Sequence, residues 1–206
     1  MTPLRRAAAV VAAAALALTL AACTAEPRGG VARLPGAIPE GTSYSPVANA
    51  PAAPSLEGRL VDGTAVDLDA LAAGRPLLVQ FMASWCSTCA GQQAVLADVA
   101  SEYGEAVAIA QVSGDTDPDA LTTYLDAEQV GDPVVLDPEL QIWRAYAVTE
   151  PPMTALIDAD GHLVKLWPGG ADSEKIRGQL EQMVSRAGRP RRHGDLHRAP
   201  ARPRRS

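Results

Sequence analysis

Residues 55–187 read as a single α/β domain whose central sheet is largely parallel and ends in an antiparallel hairpin. Three observations predict this. PLLVQFMA at 76–83 is a nearly unbroken apolar run, as expected of a central strand buried on both faces. AVAIAQV at 106–112 is a second such run, with helical spacing between the two. MTALID and HLVKLW flank Asp160-Gly161 as a closing pair of strands. The chain has 206 residues, 47% of them hydrophobic, which is ample for one core and thin for two.

The remaining elements follow in order. GRLVDGTAVDL places Asp62-Gly63 at a turn between short extended runs, a hairpin signal. Residues 89–103 have helical spacing, with Val95, Leu96 and Val99 on one side. DPDALTTYLDAEQ starts with Asp117 as N-cap and Pro118 at the first helical position, and Leu121, Tyr124 and Leu125 form its apolar stripe. PVVL predicts a short strand and PELQIWRAYAV a short helix. The last helix is expected over 172–186, with Ile176, Leu180, Met183 and Val184 on one face. No internal repeat is visible.

Charge divides the chain. Residues 55–182 carry 6 basic and 21 acidic side chains, a net charge of −15, whereas 183–206 carry 8 Arg against Asp195. An acidic body repels phosphates, which excludes nucleic acid as a partner. At the start, Arg5 and Arg6 precede an apolar stretch of 14 residues at 7–20, too short to span a bilayer and suited to a signal peptide. That stretch ends in LAAC, which resembles the bacterial lipobox. The resemblance implies a signal peptide at 1–22, lipidation of Cys23 and a location on the extracytoplasmic face of the cell membrane. Residues 24–54, with six Pro and four Gly among 31, read as a disordered tether reaching on the order of 30 Å. The Arg-rich 188–206 read as a disordered tail.

With Cys23 assigned to lipid, Cys86 and Cys89 in SWCSTCAG remain, and outside the cytosol such thiols meet oxidising conditions. Cys86 falls where the buried strand gives way to a helix. The unpaired N–H groups and positive dipole end at a helix start favour thiolate over thiol. At a pKa of about 8.5 only a few per cent of a thiol is ionised at pH 7, and at about 7 half is. A three-residue step there points both sulfurs to one side. Cys86, the more exposed, attacks; Cys89, one turn in, resolves the mixed disulfide.

VQFMASWCSTC is similar to the strand–Trp-Cys-x-x-Cys–helix segment of thioredoxin-fold proteins. YAVTEPPMTALIDADG resembles a stretch of the membrane-anchored TlpA-like or ResA-like thiol–disulfide oxidoreductases, in which a cis-proline faces the cysteine pair. The resemblance implies a thioredoxin-like fold, with a central mixed sheet flanked by helices and an N-terminal β-hairpin extension. It further implies exchange of disulfides with protein substrates and a membrane electron donor or acceptor that resets the pair, with no organic cofactor and no metal. Carried onto this chain, Cys86 and Cys89 are the redox pair, Trp85 flanks it, Pro152 is the cis-proline that supports docking, and Pro151 meets the substrate.

This chain departs from that pattern at several positions. Gln80 stands where relatives carry an acid or Asn, so deprotonation of Cys89 must come from elsewhere, Glu150 or water. Ser87-Thr88 lack the proline common between the cysteines, and Ala94 replaces a helix-kinking proline. Pro151 keeps a carbonyl but has no N–H, which predicts looser substrate contact. The direction of electron flow is open, since reductants and strong oxidants of this kind differ by roughly 150 mV, about 7 kcal/mol. Two alternatives remain beside the oxidoreductase: a copper metallochaperone on the same fold, although that group uses Cys-x-x-x-Cys with a downstream His, and a thiol peroxidase, from the faint likeness of MASWC. A zinc site needs four ligands, and His162, His193 and His197 do not complete one.

Overall fold

The structure, a computed structural model, describes residues 27–186. In chain order the strands are β1 (Thr42–Tyr44), β2 (Gly58–Leu60), β3 (Ala65–Val66), β4 (Leu77–Met82), β5 (Ala108–Ser113), β6 (Val134–Leu136), β7 (Met153–Ile157), β8 (Leu163–Pro168) and β9 (Val184–Arg186). The helices are α1 (Leu68–Ala72), α2 (Ser87–Tyr103), α3 (Pro118–Ala127), α4 (Gln141–Ala145) and α5 (Ser173–Met183). Seven strands form one sheet in the order β3-β2-β6-β5-β4-β7-β8.

Parallel pairing is confined to β4–β5 and β5–β6. The sheet is therefore mixed, as the resemblance implies, with less parallel pairing than the apolar runs alone suggest. Only α2 and α3 act as crossovers between neighbouring strands; beyond them β7 enters beside β4 antiparallel and turns back into β8, while β2 joins β6 antiparallel and carries β3. The result is a thioredoxin-like fold with the hairpin extension on its β6 side.

All six residues of β4 are buried, because both faces of the sheet are covered. Val79 and Phe81 pack with Ala110, Val112, Trp143 and Tyr146 on one face. Leu78 packs with Ile109, Leu156, Leu96 of α2 and Leu180 of α5 on the other. A third cluster at the C-terminal end of β4 joins Met82, Cys86 and Cys89 to Leu121 and Leu125 of α3. Asp117 caps α3 by accepting from the N–H groups of Asp119 and Ala120, with Pro118 opening the helix, as the sequence predicts.

Two expectations need correction. The last helix ends at Met183, and Val184–Arg186 form β9, antiparallel to β1. The apolar spacing of Val184 suits a helix face, but its backbone pairs with Tyr44 instead. The second correction is larger. Residues 27–54, expected to belong to a disordered tether, are laid around the domain as a strap. Arg28 meets Asp126 at 3.2 Å, and the Gly29 carbonyl accepts from Val134 N–H at 2.8 Å. Asp62 accepts from Val31 N–H at 2.6 Å. The buried Arg75 donates to the Gly36 and Glu105 carbonyls, each at 2.6 Å. Tyr44 Oη donates to the Ala106 carbonyl, the buried Asp158 accepts from Val47 N–H, and Tyr146 Oη donates to the Pro54 carbonyl. Gly29 shows why a side chain is excluded at the strap's start: its φ is +81°, and a Cβ there would stand 2.8 Å from Val134 Cγ2. Polar pegs, not an apolar stripe, hold this segment, so composition alone did not distinguish strap from tether.

The signal segment, Cys23 and the Arg-rich tail lie outside the described residues. Among the described residues no helix is long and apolar enough to cross a membrane.

Candidate active site

Strand β4 delivers the chain into Ala83-Ser84-Trp85, and Cys86 is the N-cap of α2, with its own N–H donating to the Ala83 carbonyl at 3.0 Å. Cys86 and Cys89 form a disulfide with their Cα atoms 5.3 Å apart. Cys86 is 6% exposed and Cys89 is fully buried, so an incoming group reaches Cys86 first. The Thr88 hydroxyl lies 3.5 Å from Cys86 Sγ. Both sulfurs sit on the first turn of a 17-residue helix, where free N–H groups and the dipole stabilise negative charge once the bond is reduced. Helix α2 runs unbroken past Ala94.

Thr88, between the two cysteines, shares a cleft with Pro151 and Pro152, which are joined by a cis peptide bond as the resemblance implies. Thr88 on one side and residues 149–153 and 168–169 on the other line a cleft of about 300 Å³. Glu150 is exposed on this cleft. Trp85 is 69% exposed, so it presents an apolar ring to solvent beside the cysteines and is no part of the core.

Two positions that support the loops of this site carry no recognisable sequence signal. Asp115, buried after β5, accepts from Ser84 N–H at 2.9 Å, from Ser84 Oγ at 2.6 Å and from Ser113 Oγ at 2.7 Å. This carboxylate clamps the loop that presents Trp85 and Cys86. Gln92, one turn beyond Cys89, accepts from Ala171 N–H at 3.1 Å. Its amide lies flat on Gly170, where φ is +85° and a Cβ would come within 2.4 Å of Gln92 Oε1. Gln92 thereby fixes the loop that supplies Pro168 and Gly169 to the cleft. The only signals in the sequence were an acid amid small residues and a Gly-Gly pair, both ordinary for loops.

Polar side chains of β4 and β7, and of β5 and α2, are linked by hydrogen bonds. Gln80 is fully buried, accepts from the Thr154 hydroxyl at 2.8 Å and donates to the Phe81 carbonyl at 3.2 Å. Gln93 and Gln111 exchange reciprocal amide hydrogen bonds at 3.0 and 2.9 Å, Gln93 also donates to Tyr124 Oη, and Gln111 donates to Asp132. Burial pushes the Asp132 carboxyl above its ordinary range, against the opposing pull of the Gln111 hydrogen bond and the Arg33 charge. Burial likewise raises the Tyr124 phenol, offset by Gln93 and reinforced by the charges of Glu128 and Asp115.

Comparison with known proteins agrees with this geometry. The Redoxin family model matches residues 46–182. A thiol-disulfide oxidoreductase ResA from Bacillus cereus is 25% identical over 133 residues, covering 64% of this chain and 76% of that protein. A thiol:disulfide interchange protein DsbE from Allochromatium vinosum is 30% identical over 116 residues, covering 55% of this chain and 62% of that protein. Among solved structures, a thiol-disulfide oxidoreductase from Bacteroides fragilis superposes with a TM-score of 0.57 at 24% identity, covering 64% of this chain and 98% of that one. A secreted Mycobacterium tuberculosis disulfide oxidoreductase gives 0.53 at 22% identity, covering 62% and 95%. At those identities the two structures bear on the fold alone.

Proposed function

Because the chain belongs to the Redoxin family, and matches relatives of the thiol–disulfide oxidoreductase kind, we propose that Cys86 and Cys89 exchange disulfides with exported proteins. The observation that carries this reading is the pair itself: two sulfurs at the first turn of α2, one reachable and one buried, beside a proline-walled cleft.

In the reducing direction the Cys86 thiolate attacks one sulfur of a substrate disulfide, forming a mixed disulfide and expelling the other substrate sulfur as a thiolate, which takes up a proton. Cys89 loses its proton and attacks Cys86 Sγ. The substrate leaves as a dithiol with two electrons and two protons gained, and Cys86–Cys89 is left oxidised. A membrane dithiol or electron carrier then reduces the pair again; run backwards, the same steps oxidise a substrate. Trp85 offers an apolar ring to the docked chain. Gln80 has no proton to accept or give, so solvent in the cleft or Glu150 takes the proton of Cys89.

The signal-like segment 1–22 and LAAC support export and lipidation of Cys23, with the domain on the extracytoplasmic face of the membrane. Only residues 24–26 separate Cys23 from the strap, so four extended peptide steps bring the anchored body within about 14 Å of the lipidated residue.

The test is insulin reduction with dithiothreitol as donor, together with the pair's reduction potential against glutathione. The native chain is expected to catalyse the reaction and Cys86→Ser to fall to the uncatalysed rate. Full activity in Cys86→Ser removes the assignment of the nucleophile, and stoichiometric Cu(I) uptake with no reductase activity favours the metallochaperone instead.

A further inference from the structure

Among the described residues, the cleft beside the disulfide is walled by three prolines and carries a single charged side chain. Pro151, Pro152 and Pro168 bring it no backbone N–H. Thr88 and Thr149 offer hydroxyl oxygens, and Glu150 is the one charged residue lining it among the described residues. Glu150 is exposed, on a segment anchored by the buried Val148 and Met153 on either side. Behind the loop that carries Cys86, the buried Asp115 adds a second acidic group. The field of the whole body has the same sign, with 21 acidic against 6 basic residues over 55–182. A wall negative in potential favours a chain that brings cationic side chains, and it repels an acidic one.

Resting on the disulfide-exchange reading above, we propose that this cleft selects cysteine-containing segments with Lys or Arg beside the cysteine, and that Glu150 is the specificity-determining residue. Pro151 and Pro152 offer a docked chain no backbone N–H. Discrimination therefore shifts to the carboxylate next to them. A basic segment is steered toward the acidic surface before exchange begins.

The experiment uses the full chain, reduced beforehand, and short disulfide-bridged peptides identical except for Lys, Gln or Glu flanking the cysteines. Each rate is divided by the rate of the same peptide with dithiothreitol, which removes the effect of the flanking charge on intrinsic disulfide reactivity. At low ionic strength kcat/KM is expected to be about 3–10-fold higher for the Lys peptide than for the Glu peptide, with the gap closing in roughly 0.5 M salt. Glu150→Gln is expected to remove most of the preference and Glu150→Lys to invert it, whereas Glu181→Gln, on α5, leaves it as it was. Equal rates for the peptides, or a preference that survives Glu150→Gln, overturn the proposal while disulfide exchange stands. Failure to exchange with any of the peptides removes the oxidoreductase reading first, and the selectivity with it.

Discussion

The segment from β4 into α2 and the strap at 27–54 reach order by opposite routes. In the first, six consecutive buried residues and a helix stripe of Cys89, Leu96, Val99 and Tyr103 press the redox loop onto the core. In the second, polar contacts recur at intervals, from Arg28–Asp126 through Arg75 and the short β1–β9 ladder to Tyr146 Oη on the Pro54 carbonyl, with little apolar packing between them. Apolar burial scales with area and holds a segment along its length, whereas a peg holds one point and leaves the chain between pegs to follow. Burial pushes the Tyr146 phenol up to about 12, so the last peg keeps its donor proton at every ordinary pH. The redox loop also has a peg of its own, the Asp115 clamp, at the one place where apolar packing stops and Cys86 must be presented outward.

Substitutions in the two regions test that contrast. Leu78→Ala, at a position with no exposure on the α2–α5 face, is expected to lower global stability by about 2–5 kcal/mol with a single cooperative transition in urea. Asp115→Ala leaves Ser84 N–H without its acceptor and is expected to cost about 1–3 kcal/mol. It also loosens Trp85 and Cys86, so the insulin-reduction rate falls alongside stability. Arg75→Met keeps the apolar stem and deletes the guanidinium that reaches Gly36 and Glu105. It is expected to cost about 1–3 kcal/mol and to open the strap near Gly36 to proteolysis, with exchange activity retained. If Arg75→Met costs as much as Leu78→Ala and abolishes activity too, the strap belongs to the core and the contrast fails.

The same contrast governs what the sequence disclosed. Strand β4, the Asp117-Pro118 start of α3 and the Asp160-Gly161 hairpin were legible because periodicity and turn chemistry are local. The cysteine pair and the proline opposite were legible through resemblance. The strap was not, because a Pro- and Gly-rich segment has the same composition whether it is free or pinned, and its pins are residues such as Asp126 and Asp158, distant in sequence. Val184 fitted a helix face and went to a strand, since three residues of pairing with β1 decide it. Asp115 and Gln92 were passed over because a clamp and a loop support have no spacing rule; their meaning lies in Ser84 and Gly170, which only the fold brings to them.

The smallest expected effect is a pH response of opposite sign in the two regions. Asp62 receives Val31 N–H and Thr64 N–H, and these hydrogen bonds, Val31 first, hold its carboxyl below the ordinary 3.8. A depressed folded value means that the stabilisation is present above the unfolded value and is lost as pH falls through the folded one. The Val31 peg should therefore release only in acid, seen as faster amide exchange at Val31 below about pH 4, and Asp62→Asn should flatten that dependence. Asp132, which accepts from Gln111 of β5, is displaced the other way by burial. A raised folded value makes its contribution greatest below the unfolded value, and it declines as pH rises through the folded one. Asp132→Asn should accordingly remove a loss of global stability on going from acid toward neutral pH, measured by urea unfolding. Val31 exchange that follows global stability, and not the titration of Asp62, would mean that strap and core open together as one cooperative unit.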